Sequence, residues 1–149
     1  MITAAILTHL DSLGLVVYGR AGTDAFLEDL PDKPVAAVAA FARPGGAETD
    51  GGHGYDEPAV QLLIRGDKTN PNTPGRARSG YGRAQAIRDA LHGLSGVTIA
   101  AGTDDQTYIV QCLATQSEPT NIGDDPDDRP RWSVPLRLEV FRPTPLRGE

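Results

Sequence analysis

From Arg131 to Val140 the chain alternates without a break. Trp132, Val134, Leu136, Leu138 and Val140 are apolar, and Arg131, Ser133, Pro135, Arg137 and Glu139 separate them. A period of two puts one set on each face of a β-strand. The strand therefore needs a sheet to join, and its apolar face needs a second layer to cover it. Pro135 cannot donate a ladder hydrogen bond, which predicts an edge strand or a bulge at that point.

Other stretches supply the partners. Val60 to Arg65 places Val60, Leu62 and Ile64 on one face and Gln61, Leu63 and Arg65 on the other. Tyr108 to Thr115 alternates in the same way, with Tyr108, Val110, Cys112 and Ala114 set against Ile109, Gln111, Leu113 and Thr115. Val35 to Ala42 is apolar throughout, and the prolines and glycines that flank it favour a strand over a helix. Thr98-Ile99-Ala100 reads as a short strand before a turn at Gly102 to Asp105, and Leu15 to Tyr18 as a short strand or an extended link.

Helical spacing appears twice. In residues 1–13, Ile2, Ala5, Ile6, His9, Leu10 and Leu13 share a stripe, with Thr3, Thr8, Asp11 and Ser12 off it. In residues 80–92, Ala84, Ile87 and Leu91 form the stripe and Leu94 extends it, with Ser79 as the expected N-cap. Residues 19–34, 45–54, 67–80 and 116–130 read as loops, the first with one helical turn. Strands gathered in runs between helices define an α+β fold. The expected architecture is an antiparallel or mixed β-sheet with two α-helices packed on one face, in a single domain over 1–149.

Charge and composition narrow the function classes. The net charge is −6 and the pI about 5.0, the opposite of a nucleic-acid footprint. A single cysteine, Cys112, excludes an intrachain disulfide and a cysteine-based zinc site. It is expected to be a buried, inert thiol. No positive residue precedes the apolar N-terminal stretch and Asp11 interrupts it, so neither a signal peptide nor a membrane span is expected, and synthesis is expected in the cytosol.

Catalytic and ligand-binding patterns are missing. His9, His53 and His92 are far apart and outside metal-ligand spacing. No glycine-rich phosphate loop is present, and Ser79-Gly80 and Ser95-Gly96 lack the context of a nucleophile elbow. Asp124, Asp125, Asp127 and Asp128 flank Pro126 in a run that departs from calcium-loop patterns and reads as a solvated acidic loop or a partner contact. Arg76, Arg78, Arg83 and Arg88 form a basic patch around Tyr81, whose ring would stack on a base if the patch met nucleic acid. No cofactor and no catalytic residue is expected.

Tyr55-Asp56-Glu57-Pro58-Ala59-Val60-Gln61-Leu62-Leu63-Ile64-Arg65-Gly66 resembles a (Y)DxPxVQ(V)xxRG segment of small siphophage tail-terminator or minor capsid (head–tail joining) proteins. The resemblance continues through the helix Ala84 to Gly93, with its AxxIxxxLxG rhythm, and through Asn121 to Leu136, covering roughly residues 35–142. It departs in a longer 67–80 loop and in Pro135. The resemblance implies a non-enzymatic structural subunit of the virion, assembled in the host cytoplasm and placed in the neck. There a homo-hexameric ring would end tube polymerisation and dock the head. The implied partners are further copies of the chain, the major tail tube protein and a head–tail connector or head-closure protein. Genomic DNA would pass through the lumen without specific binding, and no membrane is involved.

A closed ring needs two different patches on each subunit. The expected contacts are Arg76, Arg78, Tyr81 and Arg83 around the 67–82 loop, and Asp124, Asp125, Asp127, Asp128, Arg129 and Arg131 in the acidic loop. Another head–tail connector or head-closure subunit is the nearest alternative. A small cytosolic enzyme or ligand-binding domain and a DNA-binding accessory protein are the readings from other classes.

Overall fold

The computed structural model describes residues 1–43, 55–68 and 79–141. The expected 45–54 loop, most of the 67–80 loop, His53, Arg76 and Arg78 lie outside the described residues. Among the described residues, two helices, α1 (Ile2–Ser12) and α2 (Tyr81–Leu91), accompany eight strands. These are β1 (Ala25–Leu27), β2 (Ala37–Arg43), β3 (Tyr55–Asp56), β4 (Ala59–Arg65), β5 (Ser95–Ile99), β6 (Thr107–Ala114), β7 (Thr120–Asp124) and β8 (Pro130–Phe141). They form one mixed sheet in the order β1-β2-β4-β8-β6-β5, with β3 and β7 also paired to β8. Among the described strands only β1 and β2 run parallel. The fold is α+β, as the pattern of elements predicts.

The sheet is curled, and α1 touches β1 and β2 near one end and β5 at the other, while α2 packs on β8 and β6. The face toward the helices is continuous across strands. Val38, Ile64 and Trp132 stand in one row, Ala40, Leu62 and Val134 in the next, and Leu138 and Cys112 in another. All are buried in one core with Ile6, Leu7 and Leu10 of α1 and Ile87 and Leu91 of α2. Full burial of a side chain of this size contributes about 1.5–3 kcal/mol.

The alternating C-terminal strand is central, not an edge. β8 pairs with β3 and β4 along one side and with β6 and β7 along the other. Pro135 is tolerated because of where its nitrogen points. Its carbonyl accepts from Thr115 N–H at 3.1 Å, so its nitrogen also faces the β6 side. There β6 has ended at Ala114 and β7 begins only at Thr120, so no ladder acceptor is left waiting.

Further expectations change. A bulge between Ile109 and Gln111 swaps the faces of β6, so Ile109 and Cys112 are both buried while Val110 is exposed. Residues 25–27 form a strand where a loop with a helical turn was expected, and β7 lies within the expected 116–130 loop. Thr3 is buried, with its hydroxyl unpartnered, although its spacing puts it off the stripe. Ser79 does not cap α2. Gly80 is the N-cap, with φ 91°, and Ser79 Oγ instead accepts from Asp67 N–H at 2.8 Å.

That last arrangement pins β4 to α2. Gly66 lies so close to Ser79 that a Cβ there would come within 2.3 Å of the Ser79 carbonyl oxygen. Trp132 Nε1 donates to that same oxygen at 3.0 Å. Gly66→Ala is therefore expected to lower stability by about 1–3 kcal/mol through overpacking. Gly82, exposed in α2 with open space around it, gives the opposite sign. Gly82→Ala is expected to raise stability by about 0.5–1 kcal/mol. Urea unfolding of both variants beside the parent checks the pair, and equal midpoints would contradict it.

Candidate functional site

The acidic residues of 124–128 are organised by one arginine. Asp125 Oδ1 accepts from the amides of Asp127 and Arg129, each at 2.9 Å, which folds the β7–β8 connection into a turn. Asp125 Oδ2 takes the Arg129 Nε at 2.6 Å. The same guanidinium reaches the Asp32 carbonyl at 2.9 Å, and its Nη2 lies 3.3 Å from both Asp32 Oδ1 and Asp127 Oδ2. Desolvation alone would raise the Asp125 carboxyl, but the hydrogen bonds from Arg129 and Asp127 outweigh it and hold the group below its ordinary 3.8. A guanidinium thus sits where a cation-binding loop would hold its ion. Among the described residues no group of three or more His, Cys, Asp or Glu side chains is placed to hold a metal.

Arg65 works beside it. Its Nε donates to Val35 O and its Nη2 to Pro34 O, both at 2.8 Å, with Pro31 O as a third acceptor. Arg65 and Arg129 together tie the 31–35 segment to the sheet. Buried charge of this kind persists only when the donors are used, and five guanidinium N–H groups suit several carbonyls at once.

Of the expected basic patch, Arg83 and Arg88 lie within the described residues and turn to different partners. Arg83 Nη2 lies 2.6 Å from Asp24 Oδ2, and its Nε and Nη2 both reach Leu15 O. Asp24 Oδ1 in turn accepts from Val17 N–H at 2.8 Å, so Arg83 holds the 15–24 connection against α2. Arg88 turns to Gln116 O and Asp89. The Tyr81 ring meets Trp132 edge-on at 5.2 Å, which uses one side of it for packing. Arg131 donates to Gly123 O at 3.2 Å. Of the expected contact residues within the described segments, Asp127 and Asp128 keep the most exposed side chains, 72% and 54%.

Cys112 is buried and its thiol is pushed up to about 12 by desolvation. Burial lowers His9. His92 is the C-cap of α2 in an extended conformation: its N–H donates to Arg88 O at 2.8 Å and its Nδ1 accepts from Ala114 N–H at 3.0 Å.

One feature was not expected from sequence. The sheet face away from the helices carries a groove of about 530 Å3, lined by Glu57, Pro58, Ala59, Leu113, Arg137 and Glu139 among others. The Tyr55 hydroxyl lies 2.7 Å from Glu139 Oε1 and 2.8 Å from Glu57 Oε1. Those contacts, Glu139 first, raise the phenol above its ordinary value. Near the groove, Tyr108 and Phe141 pair across strands and both remain about two-fifths exposed. The polar side of β8 was legible, but the groove arises only because β3 and β4 share one side of it.

The helices thus cover one face of the sheet, Arg65, Arg83 and Arg129 clamp loops to it, and the other face carries a groove and apolar side chains. A family model described as bacteriophage tail terminator protein matches residues 9–140. The chain belongs to that family and is a structural protein of the phage tail, a component of the virion. A search of curated proteins finds no match to it.

The clamp fixes a pH dependence. The Asp125 carboxyl is depressed in the folded state, so its contribution is complete above the unfolded value of 3.8 and is lost as pH falls through the lower folded value. Asp125→Asn is expected to be less stable than the parent at pH 7, with the gap closing below pH 3.8. Thermal melts from pH 7 to pH 2 check this, and a gap constant over the range would contradict it.

Proposed function

We propose that the chain forms a closed ring at the head-proximal end of the tail, where it ends polymerisation of the tube and docks the head connector. The membership of residues 9–140 in the tail terminator family carries this reading. The sheet face that the two helices leave uncovered supports it. Tyr108, Val110, Leu113 and Phe141 are each between 38% and 43% exposed there or at its border. Apolar side chains gathered beside a groove mark a surface built for contact.

The ring is a hexamer of identical subunits. One side of it receives the last layer of the tube protein and the other the connector or head-closure protein. The net charge of −6 suits a ring through which DNA slides, since like charge opposes sticking. The chemistry is that of stopping growth: a tube end capped by a subunit with different exposed edges offers no site for the next tube layer.

The test is tube assembly in vitro, followed by light scattering and negative-stain microscopy. Added chain is expected to cap tubes with a ring and to hold their length in proportion to its amount. It is expected to show no DNA retention at 50 mM salt. Tubes that grow equally long with and without the chain, together with a chain that stays monomeric, would contradict the reading.

A further inference from the structure

Two charged features of the surface stand beside the clamps. The first is the groove on the outer sheet face. A phenol has one proton to donate, yet two carboxylates, Glu57 and Glu139, lie within hydrogen-bond distance of Tyr55. One of them is short of a donor. Two positions back on the same face of β8, Arg137 is exposed and forms no ion pair with a described residue. Pro58, Ala59 and Leu113 supply apolar lining. The groove therefore offers a cation next to a surplus of negative charge.

The second feature is the β7–β8 turn. Its Asp127 and Asp128 side chains are 72% and 54% exposed, although Asp127 Oδ2 also lies 3.3 Å from Arg129 Nη2, and Lys68, itself 75% exposed, stands 4.0 Å from Asp128. The turn offers two anions next to a cation, the reverse of the groove. Pro126 at its tip is exposed and apolar. Turn and groove of one chain cannot meet, because Arg137 lies along β8 from Pro130, about 23 Å away at the rise of an extended strand.

We propose that the β7–β8 turn of one copy seats in the outer-face groove of the next. Asp127 and Asp128 meet Arg137, Lys68 meets the Glu57–Glu139 pair, and Pro126 packs toward the apolar lining. The inference rests on the ring reading and names the contact that closes the ring. Turn and groove are different patches, so the contact is head-to-tail, and its repetition about an axis gives a closed ring and not a two-fold dimer. The charges set register and orientation, and the apolar lining adds desolvated contact.

Cysteine pairing tests it. Arg137→Cys and Asp127→Cys are combined in one chain, where the distance along β8 forbids an internal disulfide. Cys112, buried and with its thiol pushed up to about 12, stays out of the reaction. Under mild oxidation with tube present, the double variant is expected to give a ladder of disulfide-linked oligomers that reductant collapses. Each single variant should give none, and a mixture of the two single variants only dimers. Arg137→Glu, which asks nothing of the turn, should lower the ring fraction at least tenfold at the same concentration. Wild-type rings with no ladder from the double variant, or rings untouched by Arg137→Glu, would overturn the contact and leave the ring standing. Dimers from either single variant would replace it with a two-fold contact. A wild-type chain that never assembles would overturn both.

Discussion

Hydrogen bonding along both edges of β8 is the constraint from which the rest follows. The strand runs 12 residues, longer than any other strand described, so no single neighbour spans either side. Two strands share each edge: β3 and β4 on one, β6 and β7 on the other. The joints between sharers are where regular pairing relaxes. Pro135 is accommodated at one of them. At the other, Glu57 and Pro58 separate β3 from β4, and Pro58 O still accepts from Leu138 N–H at 3.0 Å. The groove opens beside that joint. Its position follows from ladder geometry.

The clamps answer a different need. A chain with 17 glycines and 12 prolines carries long connections that bury little apolar surface and would cost conformational entropy to hold in place. Arg65, Arg83 and Arg129 each gather several acceptors from such segments. Charge-assisted bonds to partly buried carboxylates and carbonyls are stronger than neutral ones, and a guanidinium collects them in a fixed plane. Removing one partner would leave the other desolvated, which is the larger cost. The acidic run that reads as solvent-facing is thereby divided: Asp125 belongs to the interior of the turn, while Asp127 and Asp128 still face out.

Features set by local periodicity were legible in the sequence. The stripes of α1 and α2, the alternation of β4 and β8, and the α+β class all come from spacing that each segment carries by itself. The misses share a cause. β1 and β7 are too short to show a period and exist because β2 and β8 offer them an edge. One bulged residue in β6 moves Cys112 from the face of Val110 to that of Ile109. Arg83 finds Asp24 across 59 positions and Arg129 finds Asp32 across 97, so composition shows the charges and hides the pairs. The contact residues expected from loops were partly internal, and the groove, formed by β3, β4, β6 and β8 together, had no local signal.

An outer face left open by the helices fits the proposal that this member of the tail terminator family completes itself in a ring. Electron cryo-microscopy of intact tails carrying this chain tests that most directly. The expected result is a single closed ring at the head-proximal end of the tube, with Arg137, Glu57 and Glu139 buried between neighbouring subunits. A chain found elsewhere in the virion, or a ring in which the outer sheet face looks onto solvent, would contradict it.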